Sequence, residues 1–334
     1  MTILVQPMLF KTLISLIGLI FCTELIFNVI ANITPTTTEQ SNTEPFISND
    51  TQVQPDIQPK SIEETNFPLC KDIASSQFVG KILVSRSPSS IIELENQFDW
   101  LQLGGHWQPP DCRAKQKLAV VVPFRNRETH LSIFLRHMHP FLRHQQLDYT
   151  IFVIEEQGEK PFNRGMLMNI GFEQAMSMGQ FDCFIFHDVD LLPEDDRNLY
   201  VCSSQPKHMS VAVNIFKYKL PYKNIFGGVT ALTTQQINLV NGFSNLFWGW
   251  GGEDDDMFNR VKAHQLDVIR YNPTIARYKM LRHQKATPNP ERYKLLEDGK
   301  KKFTKDGLNT LHYEVLQKQE YLLYTWILVD IDTK

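Results

Sequence analysis

The chain has 334 residues, 42% hydrophobic and 21% charged, enough apolar surface for one large or two ordinary folded domains. That balance excludes a wholly disordered protein. The formal net charge of -3 supplies no basic field and argues against nucleic acid as a partner.

Residues 12–31 are mostly Leu, Ile, Phe and Val, interrupted by Glu24 and preceded by Lys11. Their length matches a membrane span of roughly 20 residues. Lys11 favours a cytoplasmic tail over residues 1–11, and no small-residue cleavage site follows, so an uncleaved signal anchor is expected. The rest of the chain then enters the secretory lumen. Residues 32–66 are rich in Thr, Ser, Gln, Asn, Pro and Glu without an apolar period, the composition of a flexible stalk. Sequons at Asn32 and Asn49 permit glycosylation there. Of the five cysteines, Cys22 lies in the apolar run; Cys70, Cys112, Cys183 and Cys202 could pair in three ways. Oxidising conditions make disulfides the default, and no two of the four have zinc-ligand spacing.

From residue 67 to 334 the pattern is globular. Apolar runs at 118–122, 149–154 and 183–186 predict strands buried on both faces, with shorter candidates at 209–213 and 229–232. Helical patterns at 128–139, 166–178 and 235–241 alternate with them. That alternation predicts an α/β domain with a largely parallel sheet, whose ligands sit at the carboxyl ends of the strands.

The residues behind each run carry chemistry. Pro123-Phe124-Arg125-Asn126-Arg127 follows the first strand; two guanidiniums beside a rigid proline suit a phosphate, or else cap the next helix. Phe162-Asn163-Arg164-Gly165 opens a helix, another anion-binding position. Asp188-Val189-Asp190 follows the third strand; once the strand ends, one aspartate can reach a hard cation and the other a ribose. Met280 and His283, three apart, are core residues by default and candidate completions of the Asp190 site, tilting it toward a transition metal. Residues 286–302, with Pro288, Pro290 and several lysines, form a candidate lid. The densest stretch is Phe247-Trp248-Gly249-Trp250-Gly251-Gly252-Glu253-Asp254-Asp255-Asp256. Taken alone it reads as an acidic turn, a solvated loop or a cation site. Indoles for a sugar face, glycines for close approach and repelling carboxylates for a base make a carbohydrate site the better reading.

These blocks, with Phe226-Gly227-Gly228-Val229, Pro288-Asn289-Pro290, Asp306-Gly307-Leu308-Asn309 and Val329-Asp330-Ile331 in the same order, resemble the β-1,4-galactosyltransferase family (glycosyltransferase family 7) over residues 70–331. The resemblance implies a GT-A, Rossmann-like fold in the Golgi lumen and Mn²⁺-dependent, inverting transfer from a UDP-sugar to the 4-hydroxyl of terminal N-acetylglucosamine on a glycoprotein or glycolipid. It implies that Asp190, Met280 and His283 hold the metal, and that Pro123, Phe124, Arg125, Arg127, Phe162, Arg164, Asp188 and Val189 surround the uridine and phosphates. Asp254 would be the base, positioned by Glu253 and Asp255, with Trp250 stacked on the sugar and Gly228 and Gly252 among the substrate-binding residues. Arg292, Tyr293 and Leu296 would line the acetamide pocket. The family pairs Cys70 with Cys112 and Cys183 with Cys202.

The chain departs from vertebrate members in Tyr293 for Phe, in a shorter segment between His283 and Pro288, and in Ile225, where galactose-transferring members have Tyr. This position meets the donor's C2 substituent. The shorter Ile leaves room for an acetamido group, so the chain looks most like the invertebrate N-acetylgalactosaminyltransferases, using UDP-GalNAc in preference to UDP-Gal. A membrane-tethered lectin without turnover is the rival from another class. A helper subunit or a homodimer is compatible with the sequence.

Overall fold

The computed structural model describes residues 67–72, 77–284 and 286–331. The expected anchor, stalk and both sequons lie outside them. Among the described residues no helix is long and apolar enough to cross a membrane.

In chain order the elements are α1 (Ile91–Gln97), β1 (His106–Trp107), β2 (Lys117–Phe124), α2 (Glu128–His144), β3 (Asp148–Glu156), α3 (Arg164–Met178), β4 (Cys183–His187), β5 (Leu191–Pro193), β6 (Lys207–His208) and β7 (Ala212–Val213). Then come β8 (Val229–Thr233), α4 (Thr234–Leu239), α5 (Glu253–Ala263), β9 (Arg277–Met280), α6 (Arg292–Gly299), β10 (Glu314–Glu320) and β11 (Thr325–Asp330).

The main sheet runs β10-β11-β3-β2-β4-β8-β6, with β1 added to β3. Only β11, β3, β2 and β4 are mutually parallel; β10, β8, β6 and β1 pair antiparallel. The largely parallel sheet expected from the alternation is therefore corrected to a mixed one. The reason is in the connections. Parallel neighbours need a long crossover, which α2 and α3 supply. Between β4 and β8 the chain carries only short strands and a 3-10 turn, Asn214–Phe216, so β8 comes back against β4. Of the predicted strand at 209–213 only Ala212–Val213 forms, joining β5 and β9 in a second, small sheet, while Lys207–His208 just before it joins the main one.

β2 is buried on both faces, and its residues alternate between two cores. Val120 and Val122 pack with Phe134, Met138, Tyr149 and Ile185 on one side. Ala119 and Val121 pack with Leu167, Ile170, Phe184 and Phe186 on the other. α2 continues past its predicted end and through Pro140. An internal proline costs ~3 kcal/mol, but Met138, Phe141 and Leu142 keep that turn buried, and each fully buried side chain of this size returns about 1.5–3 kcal/mol. Disulfides join Cys70 to Cys112 and Cys183 to Cys202, the pairing the resemblance implied.

Candidate active site

β4 ends at His187, so Asp188 and Asp190 leave the strand in different directions. Asp188 accepts from Arg164 Nε at 2.6 Å. Asp190 Oδ2 lies 3.0 Å from His283 Nε2. The small sheet makes the second meeting: β5 pairs Leu191 with Met280 of β9, and the Leu281 amide donates to the Asp190 carbonyl at 2.8 Å. Met280 and His283 thus reach Asp190 from far along the chain. A buried chain of hydrogen bonds supports the turn. His187 Nδ1 donates to the Asp188 carbonyl at 2.9 Å, so its Nε2 accepts from Tyr200 Oη at 2.8 Å. Tyr200 in turn accepts from Tyr278 at 2.9 Å, and Tyr278 from Asn198 at 3.0 Å.

The donor set suits a borderline divalent cation. His283 Nδ1 donates to the Gln284 carbonyl at 2.8 Å, so Nε2 is the nitrogen that faces Asp190, and its lone pair is the one a cation beside Asp190 would take. Carboxylate, imidazole and thioether together favour a metal such as Mn²⁺ over Mg²⁺. Among the described residues no three His, Cys, Asp or Glu side chains gather to hold a metal. Asp190 and His283 are two such groups, and the third donor would be the Met280 sulfur.

Of the three expected phosphate-binding guanidiniums, Arg127 lies beside this pair, 3.5 Å from His283 Nδ1. Arg125 instead bonds Glu156 at 3.1 Å and the Gly158 carbonyl at 3.3 Å, with its guanidinium 5.2 Å from the Phe162 ring centre. Arg164 binds Asp188, Glu253 at 3.3 Å and the Gly228 carbonyl at 3.3 Å. It therefore clamps the Asp188 turn to the acidic helix. Pro123 and Phe124 end β2, and Val189 is buried in the turn.

The four acids are the first turn of α5, entered from Gly252 at φ +104°. Carboxylates suit a helix N-terminus. Asp256 turns inward to Arg260 at 2.6 Å, and Arg260 also holds the Asp306 carbonyl at 2.7 Å, which fastens the helix to residues 303–306. Glu253 keeps one buried oxygen, Oε2, without a hydrogen-bond partner among the described residues. Asp254 is only partly exposed. Burial first, then the charges of Glu253 and Asp255, push its pKa up to about 7 against the pull of Arg164. Burial also raises Asp255, which accepts a hydrogen bond from Tyr222.

The wall facing Asp254 is Gly227, where an added Cβ would lie 2.5 Å from Asp254 Oδ2. Gly228, at φ +76°, takes the Asp188 amide on its carbonyl at 3.1 Å, so the two glycines join the Asp188 turn to Asp254. Ile225, half-buried, precedes this wall. Above it the Gly249 amide donates to Phe162 O at 2.9 Å, and Asn289 donates to Trp250 O at 3.0 Å, so the tryptophan loop and the candidate lid are linked. Trp250 is 59% exposed, and Arg292 lies 5.6 Å from its ring centre. Tyr293 and Leu296 follow on α6, with Tyr293 70% exposed.

Sequence reading missed Glu156 and Tyr222, and quoted Gly227 in a family block without giving it a role. Glu156 was legible as an acid closing an apolar strand; Tyr222 carried no local signal.

A nucleotide-sugar transferase of the GT-A type is the class this architecture defines. The catalytic domain of Drosophila β-1,4-galactosyltransferase 7, in complex with xylobiose, superposes with a TM-score of 0.57 and 32% identity, covering 65% of this chain and 95% of that one. A mutant of that enzyme in complex with manganese, UDP-Gal and xylobiose matches with a TM-score of 0.57 and 31% identity over the same shares. Residues 70–203 match the N-terminal region of glycosyl transferase group 7, and residues 207–284 match a galactosyltransferase N-terminal domain. β-1,4-Galactosyltransferase 1 of Mus musculus is 45% identical over 272 residues, 80% of this chain and 68% of that protein. β-1,4-Galactosyltransferase 4 of Cricetulus griseus is 48% identical over 233 residues, 69% and 68% of the two chains. The chain belongs to the β-1,4-galactosyltransferase family, glycosyl transferase group 7.

Proposed function

We propose that this protein moves N-acetylgalactosamine from UDP-GalNAc, with inversion, to the 4-hydroxyl of a terminal N-acetylglucosamine, making a β-1,4 linkage. The observation that carries the donor choice is Ile225, an aliphatic side chain two residues before Gly227, the wall against Asp254. Asp190, Met280 and His283 would hold Mn²⁺, which supplies Lewis-acid stabilisation of the leaving diphosphate. Asp254 takes the proton from the acceptor O4 as that oxygen attacks the anomeric carbon. A carboxylate poised near pH 7 is both ionised and basic enough for this. Attack opposite the leaving group converts an α-linked donor to a β-linked product. Arg164 holds Glu253 and Asp188 in register, and the unpartnered Glu253 oxygen is available to an acceptor hydroxyl or to the base's surroundings. Trp250 and the linked 287–289 segment exclude water that would hydrolyse the donor. The setting is the Golgi lumen, with the chain anchored through residues 12–31.

A second reading keeps the reaction and makes galactose the donor. It is supported by the names of the relatives, which are galactosyltransferases. The test is the purified full-length chain in detergent, with Mn²⁺, a GlcNAc-terminated acceptor and each UDP-sugar in turn. Higher kcat/KM with UDP-GalNAc is expected, and Ile225→Tyr shifts the preference toward UDP-Gal. An Ile225→Tyr protein with an unchanged donor ratio removes the argument from this position; GlcNAc binding without product from either donor leaves a lectin.

A further inference from the structure

Residues 217–228 cross from the 3-10 turn to β8 without regular structure. This segment carries Ile225 and the Gly227 wall, yet its own backbone bonds near Ile225 are few. The Ile225 amide reaches Tyr222 O only at 3.4 Å. Its carbonyls are held from elsewhere. Arg270 Nη2 donates to Lys223 O at 3.1 Å and to Ile225 O at 2.8 Å. Ser210 Oγ donates to Gly227 O at 3.0 Å. His208 Nε2 lies 3.1 Å from the same oxygen, and Arg270 Nε lies 3.0 Å from His208 Nδ1.

The proton positions follow from these partners. A guanidinium only donates, so His208 Nδ1 accepts and the hydrogen sits on Nε2, where Gly227 O needs it. A protonated imidazole would place a hydrogen on Nδ1 against the guanidinium. Burial and the adjacent Arg270 charge push the His208 pKa down to about 3, which keeps the ring neutral. One planar fork thus fixes three carbonyls of a five-residue stretch, two directly and one through the imidazole.

We infer that Arg270, acting directly and through His208, is a positioning residue that sets donor selectivity by pinning residues 223–227. The inference rests on the reading that Ile225 meets the donor's C2 substituent. The carbonyl that Arg270 holds belongs to Ile225 itself, and the carbonyl that His208 holds belongs to the glycine against Asp254. Releasing the fork frees the position of the gate and leaves the base and metal ligands chemically intact. Lysine cannot replace it: an ammonium on a flexible stem lacks the planar fork that spans His208 and both carbonyls.

The experiment compares the full chain with Arg270→Gln and Arg270→Lys. The readouts are kcat/KM for UDP-GalNAc and UDP-Gal, backbone amide exchange over residues 219–228, and UDP affinity. Arg270→Gln is expected to change the donor ratio by about fivefold or more, since a single small group in an apolar pocket is worth roughly 10–200-fold at full discrimination. The change comes through the donor KM more than kcat, with faster exchange over 219–228 and UDP affinity within about twofold. Arg270→Lys gives an intermediate ratio. A wild-type ratio in Arg270→Gln, or unaltered exchange over 219–228, overturns the inference; if that variant does not fold, a wild-type ratio in Arg270→Lys does so. A wild-type chain that transfers neither sugar defeats the proposed function instead, and the exchange measurement, which needs no turnover, still decides whether Arg270 pins the loop.

Discussion

Replacing Gly227 with alanine separates the fold from the chemistry. The new Cβ would lie 2.5 Å from Asp254 Oδ2, 3.2 Å from its Cγ and 3.4 Å from its Cβ. An ordinary carbon–oxygen contact is about 3.3 Å or more, so the carboxylate must move by roughly 0.8 Å. The backbone tolerates the change, because Gly227 is absent from the positive-φ glycines, and a rotating side chain relieves the clash cheaply. Stability therefore changes little. Misplacing a reacting group by about 1 Å costs roughly 100-fold, or ~2.7 kcal/mol of transition-state stabilisation. The expected result is a kcat lower by about 50–100-fold, with donor KM within about threefold and an unchanged thermal midpoint. Gly228→Ala is the contrasting control. Its φ is +76°, and its Cβ would meet Ser210 Oγ at 2.5 Å and Leu191 Cδ1 at 2.8 Å, so its thermal midpoint falls. A Gly227→Ala enzyme turning over within threefold of wild type would refute the placement of the base against this wall.

Asp254→Asn removes turnover and the acidic limb near pH 7 in the wild-type kcat/KM profile. Its effect on stability runs the other way. The folded-state pKa of Asp254 is raised to about 7 from 3.8, so the stability this group contributes is full below pH ~3.8 and lost as pH rises through 7. The variant's thermal midpoint therefore gains on wild type between pH 5 and pH 8, and a constant difference across that range would contradict the burial argument. Asp190→Asn and His283→Ala each weaken Mn²⁺ binding by roughly 10–100-fold or more, read by calorimetric titration; unaltered affinity in both would move the metal elsewhere. Breaking the Cys183–Cys202 bridge, which spans 19 residues, with Cys183→Ala and Cys202→Ala together lowers unfolding stability by ~3 kcal/mol. Denaturant titration measures the loss, and a change under about 1 kcal/mol would show that the bridge constrains little.

The strands β2, β3 and β4 were legible because each is apolar on both faces, and helices α2 and α3 because their periods are long. α5 was not read as a helix, although the signals were present: glycine before it, acids in its first turn, and Arg260 and Lys262 in its last. The four acids drew attention as a loop and hid the period. β10 is exposed along its whole length, so no alternation marks it. β9 and β5 are four and three residues long, too short for a pattern, and they are the strands that carry Met280 to Asp190.

The order of motifs, and with it the family, was settled by the chain alone, since a glycine, an indole or a carboxylate offers the same chemistry wherever it is placed. Which guanidinium stays beside the Asp190–His283 pair and which turns into an internal clamp was settled only by tertiary structure. Arg127, Arg125 and Arg164 are alike in sequence. What separates them is Glu156, Asp188 and Glu253, which reach them only once the sheet has formed. Ion pairing in a half-buried cleft depends on distance in space, and residue order does not fix that distance.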